Sequence, residues 1–88
     1  MKPDRDDEAS RIIRNLAAGL FVVSEHARHR MNERGVEDPD LVEAGRTASS
    51  WTWQEDRETY RINGKDLDAE DLIVVCAWDG ETVIVTVF

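Results

Sequence analysis

The chain carries a single cysteine, Cys76, among 88 residues. One thiol cannot close an intrachain disulfide or complete a zinc site on its own. Its place inside the apolar run LIVVCAW marks it as a buried, inert side chain, and the lack of disulfides fits a reducing compartment. No apolar run approaches the roughly 20 residues needed to span a bilayer. The opening MKPDRDDEAS is acidic and polar, unlike a secretory signal. These absences lead to the expectation of a soluble, cytoplasmic protein with no membrane partner. There is no glycine-rich phosphate loop, and no Ser-His-Asp or Cys-His pattern stands out, so no cofactor is expected. Basic residues are missing altogether from 66 to 88, where Asp66, Asp68, Glu70, Asp71, Asp79 and Glu81 stand alone. With a formal net charge of −8, the chain as a whole repels nucleic acid at long range.

What is present divides into a helical first half and a strand-rich second half. Residues 1 to 6 read as a frayed tail. From Asp7 to Gly19, Ala9, Ile12, Ile13, Leu16 and Ala17 recur at helical spacing, and LFVV then reads as a short buried strand. Ser24 is a natural N-cap for a helix that Gly35 ends. EDPDLVEAGR reads as a third helix, with Asp38 as N-cap and Pro39 at its first position. SSWTWQED and ETYRING are two strands joined by a charged turn, and KDLDAED is a polar loop. DLIVVCAW, apolar on both faces, is a central strand. Asp79-Gly80 turns it into its hairpin partner ETVIVTVF. The order α-β-α-α-β-β-β-β predicts an α+β fold, with helices on one face of a twisted, mainly antiparallel sheet of four to five strands. It forms a single domain, in which residues 7–19 are an additional helix.

The basic residues gather in the second helix. SEHARHRMNERG, residues 24 to 35, holds both histidines and three of the nine arginines. At about 100° per residue, His26, Arg30 and Arg34 form a slanted row beside the apolar pair Ala27 and Met31, while Arg28 and His29 fall on the outer side. The row is thus expected to be half-buried, and half-buried cations need carboxylates, carbonyls or a bound anion. Spacing alone leaves both readings open: anchors bridged to acids such as Asp66, Asp68 or Glu70, or a site for a phosphate-bearing ligand. His26 and His29 have no further histidine or thiol to complete a metal site. Trp51 and Trp53 share a strand face, a pattern of core packing or of an interface.

The stretch SEHARHRMNERGVEDPDLVEA resembles the His-Ala-x-x-Arg-Met-x-x-Arg-Gly-Val opening of a widespread family of small bacterial and phage proteins, labelled a domain of unknown function. TYRINGKDLD and LIVVCAWDGETVIVTVF resemble its later strand, turn and closing hairpin. The resemblance covers residues 23–88. That family is similar to RelE- and BrnT-type toxins, metal-independent ribonucleases of toxin–antitoxin pairs with helices on a twisted antiparallel sheet. The resemblance implies RNA as substrate and an antitoxin as partner. It puts His26, Arg30 and Arg34 on the His-x-x-x-Arg-x-x-x-Arg row, with Arg61 and Thr86 on sheet positions facing the substrate. It implies His26 as general base or acid, Arg30 and Arg61 as stabilisers of the pentavalent phosphate, Arg34 as a phosphate ligand or helix anchor, and Tyr60 as a base-stacking or proton-donating group.

Toxins of this class are usually basic, and this chain is acidic. The second class of function is therefore a non-catalytic interaction module. Such a module would bind a protein partner through Trp51 and Trp53, or present the acids of DLDAED and DGE as a nucleic-acid mimic. Homodimerisation through the TVIVTVF edge or the first helix is compatible with either class.

Overall fold

The structure, a computed structural model, describes residues 4–88. Helix α1 (Arg5–Ala18) starts two residues before the expected Asp7, because the Asp4 carboxylate accepts the N–H groups of Asp6 and Asp7 at 2.9 and 3.3 Å. Residues 4 to 6 therefore open the helix, which corrects the expected tail. The rest of that stretch lies outside the described residues. Ala9, Ile12 and Leu16 form the buried face of α1.

Strand β1 (Val22–Val23) is shorter than the expected LFVV strand and is not buried throughout: Leu20 is 64 % and Val22 44 % exposed. It lies at a sheet edge and pairs on one side only, so its other flank meets solvent. Helix α2 (Glu25–Arg34) is capped by Ser24, whose Oγ accepts the Ala27 N–H at 3.1 Å, and Gly35 closes it in the left-handed conformation. Helix α3 (Asp38–Arg46) takes Glu37 as its N-cap in place of the expected Asp38. Asp40, three residues on, accepts the Glu37 N–H at 2.9 Å, and this reach back from the first turn moves the start by one residue.

Strands β2 (Ser50–Gln54), β3 (Thr59–Lys65), β4 (Asp71–Trp78) and β5 (Thr82–Val87) complete a five-stranded sheet in the order β1-β5-β4-β3-β2. All pairs are antiparallel except β1–β5. The fold is α+β, and β4 is central, as its two-sided apolar run requires. Tyr60, Ile62 and Gly64 of β3 lie opposite Cys76, Val74 and Leu72 of β4 and face the helices. Arg61 and Asn63 face the other way, opposite Val75 and Ile73.

The β4–β5 ladder contains a bulge. Val75 pairs with Thr86, but the next residue, Cys76, pairs with Ile84, so Val85 is the extra residue. Its carbonyl accepts a hydrogen bond from Ser24 Oγ at 3.4 Å. Phe88 continues the ladder, exchanging backbone hydrogen bonds with Ile73 at 2.9 and 3.1 Å.

Helix α3 fits between α1 and β3 by close backbone approach. A Cβ on Gly64 would stand 2.2 Å from the Ala44 carbonyl oxygen, and one on Gly45 2.5 Å from the Ala17 nitrogen. Both neighbours are backbone, which cannot rotate aside. Gly64→Ala is expected to lower stability by about 1–3 kcal/mol through overpacking, read as a lower urea midpoint at unchanged slope. An unchanged midpoint would show that α3 can move off the sheet freely.

Candidate functional site

With α1 and α3 on one side, the other side of the sheet stays open. Period-two alternation puts Thr52 of β2, Arg61 of β3 and Val75 of β4 in one row across it, and the bulge adds Thr86 of β5. A groove of about 480 Å³ runs along this face, lined among others by Gln54, Arg57, Thr59, Arg61, Thr86 and Phe88. Its volume falls in the range of small-ligand sites.

Helix α2 reaches this face from the side of β5. Ala27 and Met31 are fully buried in the common core, which places Arg30, one position off that seam, near the end of β5. Its Cζ lies 5.9 Å from the centroid of the Phe88 ring, and the Cζ of Arg61 lies 5.5 Å from the same centroid. Both distances fall within cation–π reach. The Phe88 ring thus lies within reach of both guanidiniums. Arg30 also has Glu33 at 3.5 Å, a long and exposed contact, whereas Arg61 makes no ion pair with a described residue. None of the acids expected as anchors, Asp66, Asp68 or Glu70, reaches either arginine. Asp66 is engaged elsewhere, its Oδ1 accepting the N–H groups of Asp68 and Glu70 at 2.9 Å each.

The structure separates the other sequence-derived candidates. His26 and Arg34 are exposed, not half-buried as the helical row suggested, and neither has a described polar partner. Of the row, only the middle residue, Arg30, is half-buried. His26 stands one turn before Arg30. Arg28 is a surface residue as expected, paired with Asp38 at 2.7 Å, and His29 faces Glu33 at 3.8 Å. Thr86 is half-buried in the groove. Tyr60 does not join the site. It is fully buried on the helix-covered face, because its parity along β3 is opposite to that of Arg61. Base stacking by Tyr60 is thereby ruled out.

Tyr60 instead anchors α1. Its Oη donates to Glu8 Oε1 at 2.9 Å and accepts from Arg5 Nη1 at 3.4 Å. Trp51 and Trp53 pack on its ring at centroid distances of 5.7 and 4.8 Å, and the Arg5 guanidinium covers Trp53 at 3.5 Å. The two tryptophans are thus half-buried packing residues. Burial pushes the Tyr60 hydroxyl above its ordinary pKa; the Arg5 guanidinium opposes this, and the Glu8 carboxylate adds to the rise.

Sequence reasoning did not pick out Gln54, Arg57 and Phe88 as site residues. Gln54 carried a period-two signal with Thr52 on β2, whereas for Phe88 the bulge breaks that signal between Ile84 and Thr86. Arg57 sits in the charged β2–β3 turn and had none. Among the described residues, no three His, Cys, Asp or Glu side chains gather as a metal-ligand set, and no helix is long and apolar enough to cross a membrane.

The profile of a domain of unknown function, DUF4258, matches residues 23–88 and leaves α1 outside. No curated protein and no solved structure matches the chain.

The Tyr60 environment fixes a pH dependence. A raised folded-state pKa means that the contribution of the neutral hydroxyl is fully present below the unfolded value of about 10 and is lost as pH climbs beyond it toward the folded value. Tyr60→Phe is expected to cost about 1 kcal/mol at neutral pH. It should also flatten the fall in thermal midpoint above about pH 10. A variant with the same alkaline slope as the wild type would refute the assignment.

Proposed function

This chain belongs to the DUF4258 family, and on that premise we propose that it is a RelE/BrnT-like, metal-independent endoribonuclease of a toxin–antitoxin-like system, with the open sheet face as its RNA surface. The observation that carries this reading is the meeting of Arg30 and Arg61 on one aromatic ring, with Arg61 unengaged by any described carboxylate. Arg61, half-buried without a described acid partner, and Arg30, held only by a long contact to Glu33, can receive an anion. A phosphodiester is the anion whose neighbouring sugar and base would use the rest of the groove.

The chemistry is in-line attack of a ribose 2′-oxygen on the adjacent phosphorus. The 2′-O–P bond forms, the P–O5′ bond breaks, and a 2′,3′-cyclic phosphate and a 5′-hydroxyl result. His26 takes the 2′-hydroxyl proton from its exposed position one turn before Arg30, and solvent water supplies the proton that the departing 5′-oxygen takes up. Arg30 and Arg61 hold the non-bridging oxygens as charge builds on them. Thr86 and Arg57 add contacts along the groove, and Arg34, one turn beyond Arg30, meets the RNA backbone outside it. The overall negative charge slows encounter, whereas the phosphate contacts of the arginines release counterions and weaken as salt rises. An antitoxin would cover the same face, meeting the arginines with carboxylates.

The alternative of an acidic interaction module has less to stand on. Asp40 and Asp66 spend their carboxylates on backbone N–H groups, and Asp71 is paired with Lys65. Trp51 and Trp53, the proposed contacts for a protein partner, are packed on Tyr60.

The test is incubation of the purified protein with end-labelled single-stranded RNA, with and without ribosomes, and mapping of product ends. Cleavage with cyclic-phosphate ends is expected. His26→Ala should reduce the rate about 10²–10⁴-fold, and Arg61→Ala about 10²–10³-fold. Intact RNA under both conditions, from a folded wild type, would overturn the proposal.

A further inference from the structure

Strand β5, whose TVIVTVF stretch read as a pairing edge, is closed to a partner: β4 and β1 border it, and α2 packs against it. The sheet ends instead at β1, two residues long, and at β2, five residues long. Edge strands are usually blunted by charged side chains or proline, and SWTWQ has neither. The Gln54 carbonyl accepts the Arg57 N–H at 3.2 Å inside the β2–β3 turn. Gln54, and with it Thr52, therefore turns its backbone groups toward β3, and Trp51 and Trp53 turn theirs outward. No described residue hydrogen-bonds to those outward groups. Both indoles are only half-buried, so apolar ring surface stands beside unpaired backbone.

We propose that β2 is a homodimer interface, in which two copies pair β2 against β2, antiparallel, about a two-fold axis at Thr52. This is the one antiparallel register that pairs all five residues of each strand. Trp51 then exchanges backbone hydrogen bonds with the partner's Trp53, and Trp53 with the partner's Trp51. Their side chains form aromatic cross-strand pairs on the helix-covered face, and Thr52 meets its own copy on the open face.

Charge selects a second copy as the occupant. The strand itself is neutral, so nothing repels across the axis. Beyond Gln54 the turn carries Glu55, Asp56 and Glu58 against one Arg57. Before Ser50 stands Arg46, 69 % exposed with only a 3.9 Å contact to Glu43. Thr47 ties this segment to the end of β3 by accepting the Lys65 N–H at 2.8 Å. Lys65 already has Asp71, so Arg46 is the cation left for a partner's turn. Antiparallel pairing sets the acidic end of each copy beside the basic end of the other, as a two-fold interface requires. Parallel pairing would set like beside like. The two open faces would join into one, with the two Arg61 residues three strand spacings apart, roughly 14 Å. The inference goes beyond the RNA reading and does not depend on it.

The experiment is sedimentation velocity of the purified protein up to hundreds of micromolar, for the wild type, Thr52→Lys, Thr52→Glu and an equimolar mixture of the two variants. Thr52 is exposed, so neither substitution enters the core. The wild type is expected to sediment as a dimer of the 10.0 kDa chain. Each variant alone sets like charges against each other at the axis, and its dissociation constant should rise roughly tenfold or more. The mixture sets lysine against glutamate and should dimerise as the wild type does. Amide exchange at Trp51 and Trp53 should slow as wild-type concentration rises. A wild type that stays monomeric throughout would overturn the proposal. Variants that dimerise as well as the wild type, or a mixture no tighter than either variant alone, would overturn it too, because the contact would then lie elsewhere. Exchange at the two tryptophans that ignores concentration would do the same.

Discussion

Ala44 and Gly45 bring α3 against two neighbours at once, β3 at Gly64 and α1 at Leu16 and Ala17. With no Cβ at either glycine, backbone meets backbone, and three elements lock at van der Waals distance. Much else follows from that contact. It fixes the height of the helical layer over Tyr60 and Ile62, and it holds α1 where Glu8 can meet the Tyr60 hydroxyl. It also commits α1 and α3 to one side of the sheet. The opposite side is left open except where α2 reaches it beside β5, and the candidate site is made of the sheet's own side chains together with Arg30.

The same arrangement explains how a cationic groove persists in a chain of net charge −8. Many of the acids serve the framework. Asp4 caps α1, Asp40 reaches back over the start of α3 and also accepts the Leu67 N–H, and Asp66 organises the β3–β4 turn. Glu8 is held by Tyr60 and Arg5. Apart from Asp56, the groove lining carries no acidic side chain. Total charge is thus a poor guide to the local field here, because the acids are drawn to helix starts and turns where N–H groups await them. Helix α1, although outside the family match, contributes Ala9, Ile12 and Leu16 to the core and cannot be regarded as an appendage.

The element order was legible because each signal was local. Ser24 and Gly35 bracket α2, Asp79-Gly80 sets the last hairpin, and DLIVVCAW announces a central strand. Helix starts were less legible by one or two residues, since Asp4 and Asp40 act through side chains whose reach depends on geometry. Of the candidate site, the wheel put Arg30 where α2 meets the rest of the domain, while Arg61 came from the family resemblance alone. The exposure of His26 and Arg34 was not legible, because a wheel gives angles about an axis but not the tilt of that axis on its neighbours. Tyr60 was misplaced although its parity, adjacent to Arg61, already assigned it to the other face. The partners of Phe88 were beyond reach, since they depend on the bulge.

That bulge at Val85 has a consequence for what a sheet of this kind can become. Strict alternation would put Thr82, Ile84, Thr86 and Phe88 on one side of β5. The extra residue lets Thr82 and Ile84 stay inside while Thr86 and Phe88 emerge on the open face, with Val87 taking the inner place. One peptide unit therefore decides whether Thr86 and Phe88 join Arg61 on the open face. Loss of a single codon at this point would take the aromatic ring from beside Arg61 in a descendant of this core, with every residue of the helical layer unchanged.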